Sequence, residues 1–263
     1  MLLVDKNEFL KFYDKLYELE KDEVFFLCLS ARNKYLTDEE RKEFSLGRTE
    51  MFGREFVYEK SIDKFELILK KLDLTLEYRT TSNGSRIPDK AMVVYFNLNP
   101  TSTIKAYQAF QEEMNKELFL LLNNIRSNNQ TEMNYDRFRK SQSILKTQFQ
   151  KYPSRKVFLD IDCDTKDTSV VCGICSFLKK YNVDYFVIQS QGGYHVIIKK
   201  DTMPKDKLFG KALFQDIIPT ANDCVCSGGG EVIINKNEMI PLPGTLQAGN
   251  HLVKIIDKFQ EVK

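Results

Sequence analysis

The chain has 263 residues, of which 42% are hydrophobic and 29% charged, and a formal net charge of +2. That length buries a sizeable core in one large domain or two modest ones. A near-neutral balance neither demands nor excludes a nucleic-acid partner. No apolar run is long enough to span a bilayer, and the start, MLLVDKNEFLKFYDKLYELEKDE, carries acids early and lacks a secretory pattern. The expectation is a soluble, cytoplasmic protein without a membrane partner.

The pattern divides near residue 150, into an N-terminal unit (1–150) and a C-terminal unit (151–263). In the first, Leu3 to Leu19 repeats with helical spacing, and EVFFLCLSARNKYL reads as a strand and turn. SIDKFELILKKLDL has helical spacing, and AMVVYFNLNP is a buried strand ending in a turn. TSTIKAYQAFQEEMNKELFLLLNNI is a long helix with Thr/Ser caps. The segment 126–142 is polar and unpatterned, a linker or mobile loop, and 78–90 reads as a flexible loop. ARNKYLTDEERKEFSLGRTEMFGREF interleaves Arg32, Lys34, Arg41, Arg48 and Arg54 with aromatic rings. That composition suits a nucleic-acid backbone, but the acids in the same stretch favour a solvated helix face over it.

The second unit alternates clearly. RKVFLDID is a strand, DTSVVCGICSFLKKY a helix capped by Asp167 or Thr168, and DYFVIQS and YHVIIKK are strands joined by a two-glycine turn. PKDKLFGKALFQDII is a helix with Pro204 near its start, and EVIIN and HLVKII are further strands. The order β-α-β-β-α-β predicts an α+β fold with a ferredoxin-like or RNA-recognition-like (RRM-like) sheet. Six cysteines include CGIC at 172–175 and CVC at 224–226. These could offer zinc four thiolates, but the apolar setting of the first pair favours cysteine as a small hydrophobe.

VFLDID drives a strand into like charges that repel one another. Strand alternation aims Asp160 and Asp162 at one face, where two carboxylates suit Mg²⁺ or Mn²⁺. The opposing view is a solvated strand end bearing surface acids. In SQGGYHVII, Ser190 and His195 flank a glycine hairpin and Lys199 follows. Ser190 and His195 would donate to nucleotide phosphates, and Gly192 and Gly193 would let backbone amides approach them. The PLPGT turn supplies a rigid connection before the last strand.

Strand-DxD, then Ser-x-x-Gly-x-His in a hairpin, then a PGT turn resembles the archaeo-eukaryotic primase superfamily. The nearest resemblance is to phage, plasmid and CRISPR-linked primase-polymerases, over residues 155–256. The resemblance implies an RRM-like catalytic sheet packed against an N-terminal α/β unit, in a bacterial, archaeal or phage-infected cytoplasm. It implies template-directed nucleotidyl transfer, for primer synthesis or extension, with Mg²⁺ or Mn²⁺. Implied partners are single-stranded DNA or RNA, nucleoside triphosphates and a helicase or other replication or defence protein. Asp160 and Asp162 map onto the metal-binding acids, and Ser190 and His195 onto the nucleotide-phosphate motif. The third acid is expected on a later strand. Glu231 is the choice, with Asp223 and Glu238 as rivals, and IIN sets Asn235 where an acid is expected. A degraded member that binds nucleotide or nucleic acid without turnover, and a metal-dependent phosphodiesterase, are the alternatives.

Overall fold

Asp5 opens the first helix, because its carboxylate accepts the backbone N–H groups of Asn7 and Glu8. In this computed structural model, which describes residues 2–44, 46–74, 86–126, 135–225, 230–236 and 238–256, helix α1 covers Lys6–Lys15. It is shorter than the Leu3–Leu19 pattern because Leu3 bridges to Thr245, and Val4 and Asp5 donate to the Gly244 carbonyl. The PGT turn therefore anchors the N-terminal segment. Gly244 has φ +87°, and a methyl group there would meet the Asp5 carbonyl at 2.4 Å.

Strand β1 (Glu23–Arg32), helix α2 (Asp38–Phe44), strand β2 (Thr49–Val57), helix α3 (Ile62–Leu74) and strand β3 (Met92–Asn97) follow. β2 escapes pattern reading because it is an edge strand, half exposed and interrupted by Glu50, Arg54 and Glu55. After β4 (Thr101–Ser102) comes helix α4 (Thr103–Arg126). Its cap comes largely from Asp22, whose carboxylate accepts Ser102 Oγ, Thr103 Oγ1 and the Ile104 N–H. The Thr/Ser cap of the sequence is thus shared with an acid some 80 residues upstream.

The expected linker at 126–142 is corrected in part. Residues 127–134 lie outside the described residues, but α5 (Asp136–Arg139) and α6 (Ser141–Lys151) are helical. Arg137 ties them to α4 through Glu113 and Glu117. Most of the loop expected at 78–90 also lies outside the described residues, and its end, Asp89–Ala91, forms a single 3-10 turn.

The rest of the chain runs β5 (Phe158–Cys163), α7 (Thr168–Lys180), β6 (Tyr185–Gln189), β7 (Tyr194–Lys199), α8 (Lys207–Lys211), a π turn over 212–217, α9 (Ile218–Val225), β8 (Val232–Ile234), β9 (Met239–Pro241), β10 (Leu246–Gln247), β11 (His251–Leu252) and β12 (Lys254–Ile256). Asp167 caps α7 through the Ser169 N–H. Asp206 caps α8, two residues after Pro204, because its carboxylate reaches the Leu208 N–H.

Two antiparallel sheets carry the structure, in a mixed α+β arrangement. The first has the order β2-β1-β3-β9 and the second β12-β6-β7-β5-β8. A division at residue 150 does not partition the strands, because β9 completes the first sheet beside β3. The two parts also share one core. Phe25, Leu27 and Phe96 from the first sheet join Phe158, Phe186, Ile188 and Ile197 from the second, with Phe12 of α1 touching both Phe96 and Phe186. The other face of the second sheet, including Ile161, Cys163, Val187 and Val196, packs against Val171, Ile174 and Leu178 of α7. Burial of roughly 25 cal/mol per Å² of apolar surface along both faces holds β5 and β7 in register.

Candidate functional site

β5 and β7 pair antiparallel, with Ile161 opposite Val196 and Asp162 opposite His195. Ile161 faces α7, so Asp160, Asp162 and His195 share the opposite face. β8 lies on the other side of β5 and pairs Ile233 with Asp162. Asn235 follows β8, donates its backbone N–H to the Asp160 carbonyl at 3.0 Å, and so occupies the Asp160 row.

The side chains connect along that row. His195 Nδ1 lies 3.2 and 3.1 Å from the two oxygens of Asp160 and 3.8 Å from Asp162 Oδ1. Asn235 Nδ2 donates to Asp160 Oδ2 at 2.7 Å. Asp160 is fully buried, whereas Asp162 is 34% exposed. Burial disfavours the charged imidazole, but the Asp160 and Asp162 carboxylates prevail and raise the His195 pKa to about 9. The Asp162 carboxyl is pushed upward by burial and by the charges of Asp160 and Asp164, against the pull of His195 and Lys34. Among the described residues, His195 Nε2 has no hydrogen-bond partner, so the ring is oriented by Asp160 through one nitrogen and keeps the other available.

The glycines of SQGG serve close approach. Neither has positive φ among the described backbone. The connection is a four-residue loop closed by Gln189 opposite Tyr194 and by the Ser190 N–H to the Gly193 carbonyl, longer than the tight turn expected. A methyl group on Gly193 would sit 2.1 Å from the Cys163 carbonyl. One on Gly192 would sit 2.8 Å from Asp164 Oδ1 and 3.6 Å from Lys34 Nζ. The hairpin is therefore pressed against the Asp164 turn, with Lys34 alongside.

Ser190 spends its hydroxyl inside the hairpin, bonding the Gly193 N–H and carbonyl. Lys199 is not brought to the site. It stands opposite Phe158 at the far end of β7 and pairs with Asp201. Glu231 is exposed, its carbonyl accepts the Asp164 N–H, and it lies two residues before Ile233, the strand partner of Asp162, with no side-chain bond to Asp160, Asp162 or His195 among the described residues. Asp223 is exposed on α9. Glu238 is bound to Asn99 Nδ2 at 2.7 Å and to Lys156 at 3.0 Å. Of the chosen residues, the structure brings together Asp160, Asp162, His195 and the 190–193 hairpin.

Lys34 and Arg32 enter from the first sheet. Lys34 is half-buried within electrostatic reach of Asp164 and Asp162. Burial and the neighbouring Arg32 lower its pKa, with Arg48 adding to that. Arg32 donates to the Tyr95 hydroxyl at 2.7 Å, and its buried Nε has no acceptor among the described residues. Both cations belong to the basic stretch seen in the sequence, in which Arg41 is committed to Asp38 and Asn33, and Arg54 to Thr147. Asn235 stands where the sequence set it in place of an acid, and Asn99, which holds the head of β5 through the Val157 and Phe158 N–H groups, is not singled out by the sequence because a lone amide carries no pattern. For zinc, Cys175 is buried in the α7 core with its thiol pushed up to about 11, chiefly by burial. Cys226 lies outside the described residues. Among the described residues, no three His, Cys, Asp or Glu side chains converge as a metal cage.

Comparison with family models, with curated proteins and with solved structures yields no match to this chain.

Proposed function

We propose that this site binds a nucleoside triphosphate with a divalent cation and carries out template-directed nucleotidyl transfer on single-stranded nucleic acid, as in primase-polymerases. The observation that carries the reading is the meeting of Asp160, Asp162 and His195 on one sheet face with Lys34 opposite. The strand order β8-β5-β7-β6 around two helices supports an RRM-like sheet as its scaffold.

The residues present fit a hard cation. Burial first, and then the charges of Asp160 and Asp164, push the carboxyl of the partly exposed Asp162 upward, and a cation beside it would offset both. Asp162, with the Asp160 charge behind it, would hold Mg²⁺ or Mn²⁺, which when bound lowers the charge on phosphate oxygens and activates a hydroxyl. His195 presents Nε2 to a phosphate while Asp160 fixes the ring. Lys34 adds a positive charge beside the 190–193 hairpin, and Arg32 Nε offers an unmet donor for an anionic oxygen.

A second reading is binding without turnover, favoured by one observation: the group on the Asp160 row is the amide Asn235 and not an acid. Primer extension with Mn²⁺ or Mg²⁺ on a single-stranded template, with and without primer, alongside triphosphate binding, decides between them. Incorporation establishes the first reading. Binding without incorporation establishes the second. Absence of both overturns the site.

A further inference from the structure

We propose that Asn235 limits this site to one divalent cation, held on the Asp162 side, while Asp160 serves to position His195. This rests on the reading of this sheet face as a cation-dependent nucleotide site.

The two acids are unequal. Asp160 is closed off from solvent, and Asp162 is open over about a third of its side chain. N–H donors already engage the Asp160 carboxylate: Asn235 Nδ2 on Oδ2, and His195 Nδ1 across both oxygens. Each donor presents its partial positive charge where a cation would approach. Asn235 cannot simply turn its amide to offer oxygen. The same Nδ2 donates to the Met239 carbonyl at 3.1 Å, so a turned amide would set its oxygen against two acceptors. Its backbone is fixed as well, by the bond to the Asp160 carbonyl.

Two cations side by side need bridging carboxylates and further oxygen ligands on each. Here Asp160 is taken by donors and Glu238 by Asn99 and Lys156. Asp164 and Glu231 are exposed and lie past the end of β5, away from the Asp160 row, so what remains on that row is one cation on Asp162, completed by water and by the oxygens of a triphosphate. A carboxylate at 235 would stand against Asp160 as a like charge and would call for a second cation.

Mn²⁺ titrated into the full-length chain, read by calorimetry and by the electron paramagnetic resonance of the unbound ion, tests this. The ions at the site are counted as the difference from the Asp160→Asn/Asp162→Asn double variant. The wild-type difference is expected to be one ion, and Asn235→Asp is expected to raise it to two and to enlarge the gain in Tm on adding Mn²⁺. Two ions in the wild type overturn the inference and leave the proposed function standing. No ion in the wild type overturns both. An unchanged count in Asn235→Asp overturns the role given to Asn235, and its Tm with and without Mn²⁺ reports that it has folded. The wild-type count requires no variant at position 235.

Discussion

The ring of His195 leans diagonally across its ladder: the backbone pairs it with Asp162, yet its Nδ1 lies closer to Asp160, at 3.1 Å against 3.8 Å. The lean follows from charge and burial together. Asp160 is the more deeply buried carboxylate and has the greater need of a partner.

His195→Ala should therefore be costly to the fold as well as to function. It would leave a buried carboxylate with Asn235 as its remaining side-chain donor. Loss of one member of a buried charge pair costs about 3 kcal/mol, read as a lowered midpoint in urea. His195→Gln, which keeps a donor, should recover part of the loss. A midpoint unchanged in His195→Ala would show that the pair contributes nothing net.

Asp162→Asn should behave in the opposite way. It removes a charge that burial, Asp160 and Asp164 oppose more than His195 and Lys34 favour it, so thermal stability should hold or rise slightly. Metal-dependent incorporation should fall by about 100-fold or more, since loss of even an outer-shell partner costs 10- to 100-fold. A variant that is less stable and still active would place Asp162 in the framework instead of the site.

Acid should act through a different pair. Glu23, 3% exposed, accepts two bonds from Arg155, at 2.8 and 3.1 Å. Burial works to raise its pKa, but the Arg155 bonds and the Glu20 N–H prevail and lower it. A lowered folded-state value means the stabilisation is complete above the unfolded carboxyl value, about 4.3, and is lost as pH falls through the folded value. Glu23→Gln should cost about 2 kcal/mol at pH 7, and the difference from wild type should shrink on acidification below about pH 4. Denaturation curves at several pH values would reveal a constant gap if the pair were not the cause.

Gly193→Ala should unseat the hairpin. Its methyl group would meet the Cys163 carbonyl at 2.1 Å and Thr165 backbone atoms at 2.7 Å, and overpacking of this kind costs about 1–3 kcal/mol. Gly192→Ala meets the movable Asp164 carboxylate instead and should fold, with a smaller effect on stability. Equal stability of both variants with wild type, measured by thermal unfolding, would mean the hairpin is free to shift.

Much of the fold was legible because burial writes a period into the sequence. β5, β6, β7 and α7 stand where VFLDID, DYFVIQS, YHVIIKK and SVVCGICSFLKK place them, since each buries an apolar face. β2 was not legible, as an edge strand needs no such face. Legibility at the site follows the same logic. Asp160, Asp162 and His195 share a face by alternation, which two-residue spacing encodes. Asn235 reaches Asp160 through the β5–β8 register, and Lys34 reaches Asp164 across the two sheets. Such distances are set by tertiary packing and leave no trace in local spacing. Lys199 lies on the right strand and face but too far along it.

β8 in one sheet and β9 in the other lie within ten residues, Val232 to Pro241, and Asn235 directly follows β8. Just beyond it Glu238 grips Asn99, whose side-chain oxygen accepts the Val157 and Phe158 N–H groups at the head of β5. The amide that braces Asp160 is thus strung on a tether between the two halves. A shift of one sheet against the other would therefore act on Asn235 and, through its bond, on the Asp160 carboxylate that holds the imidazole.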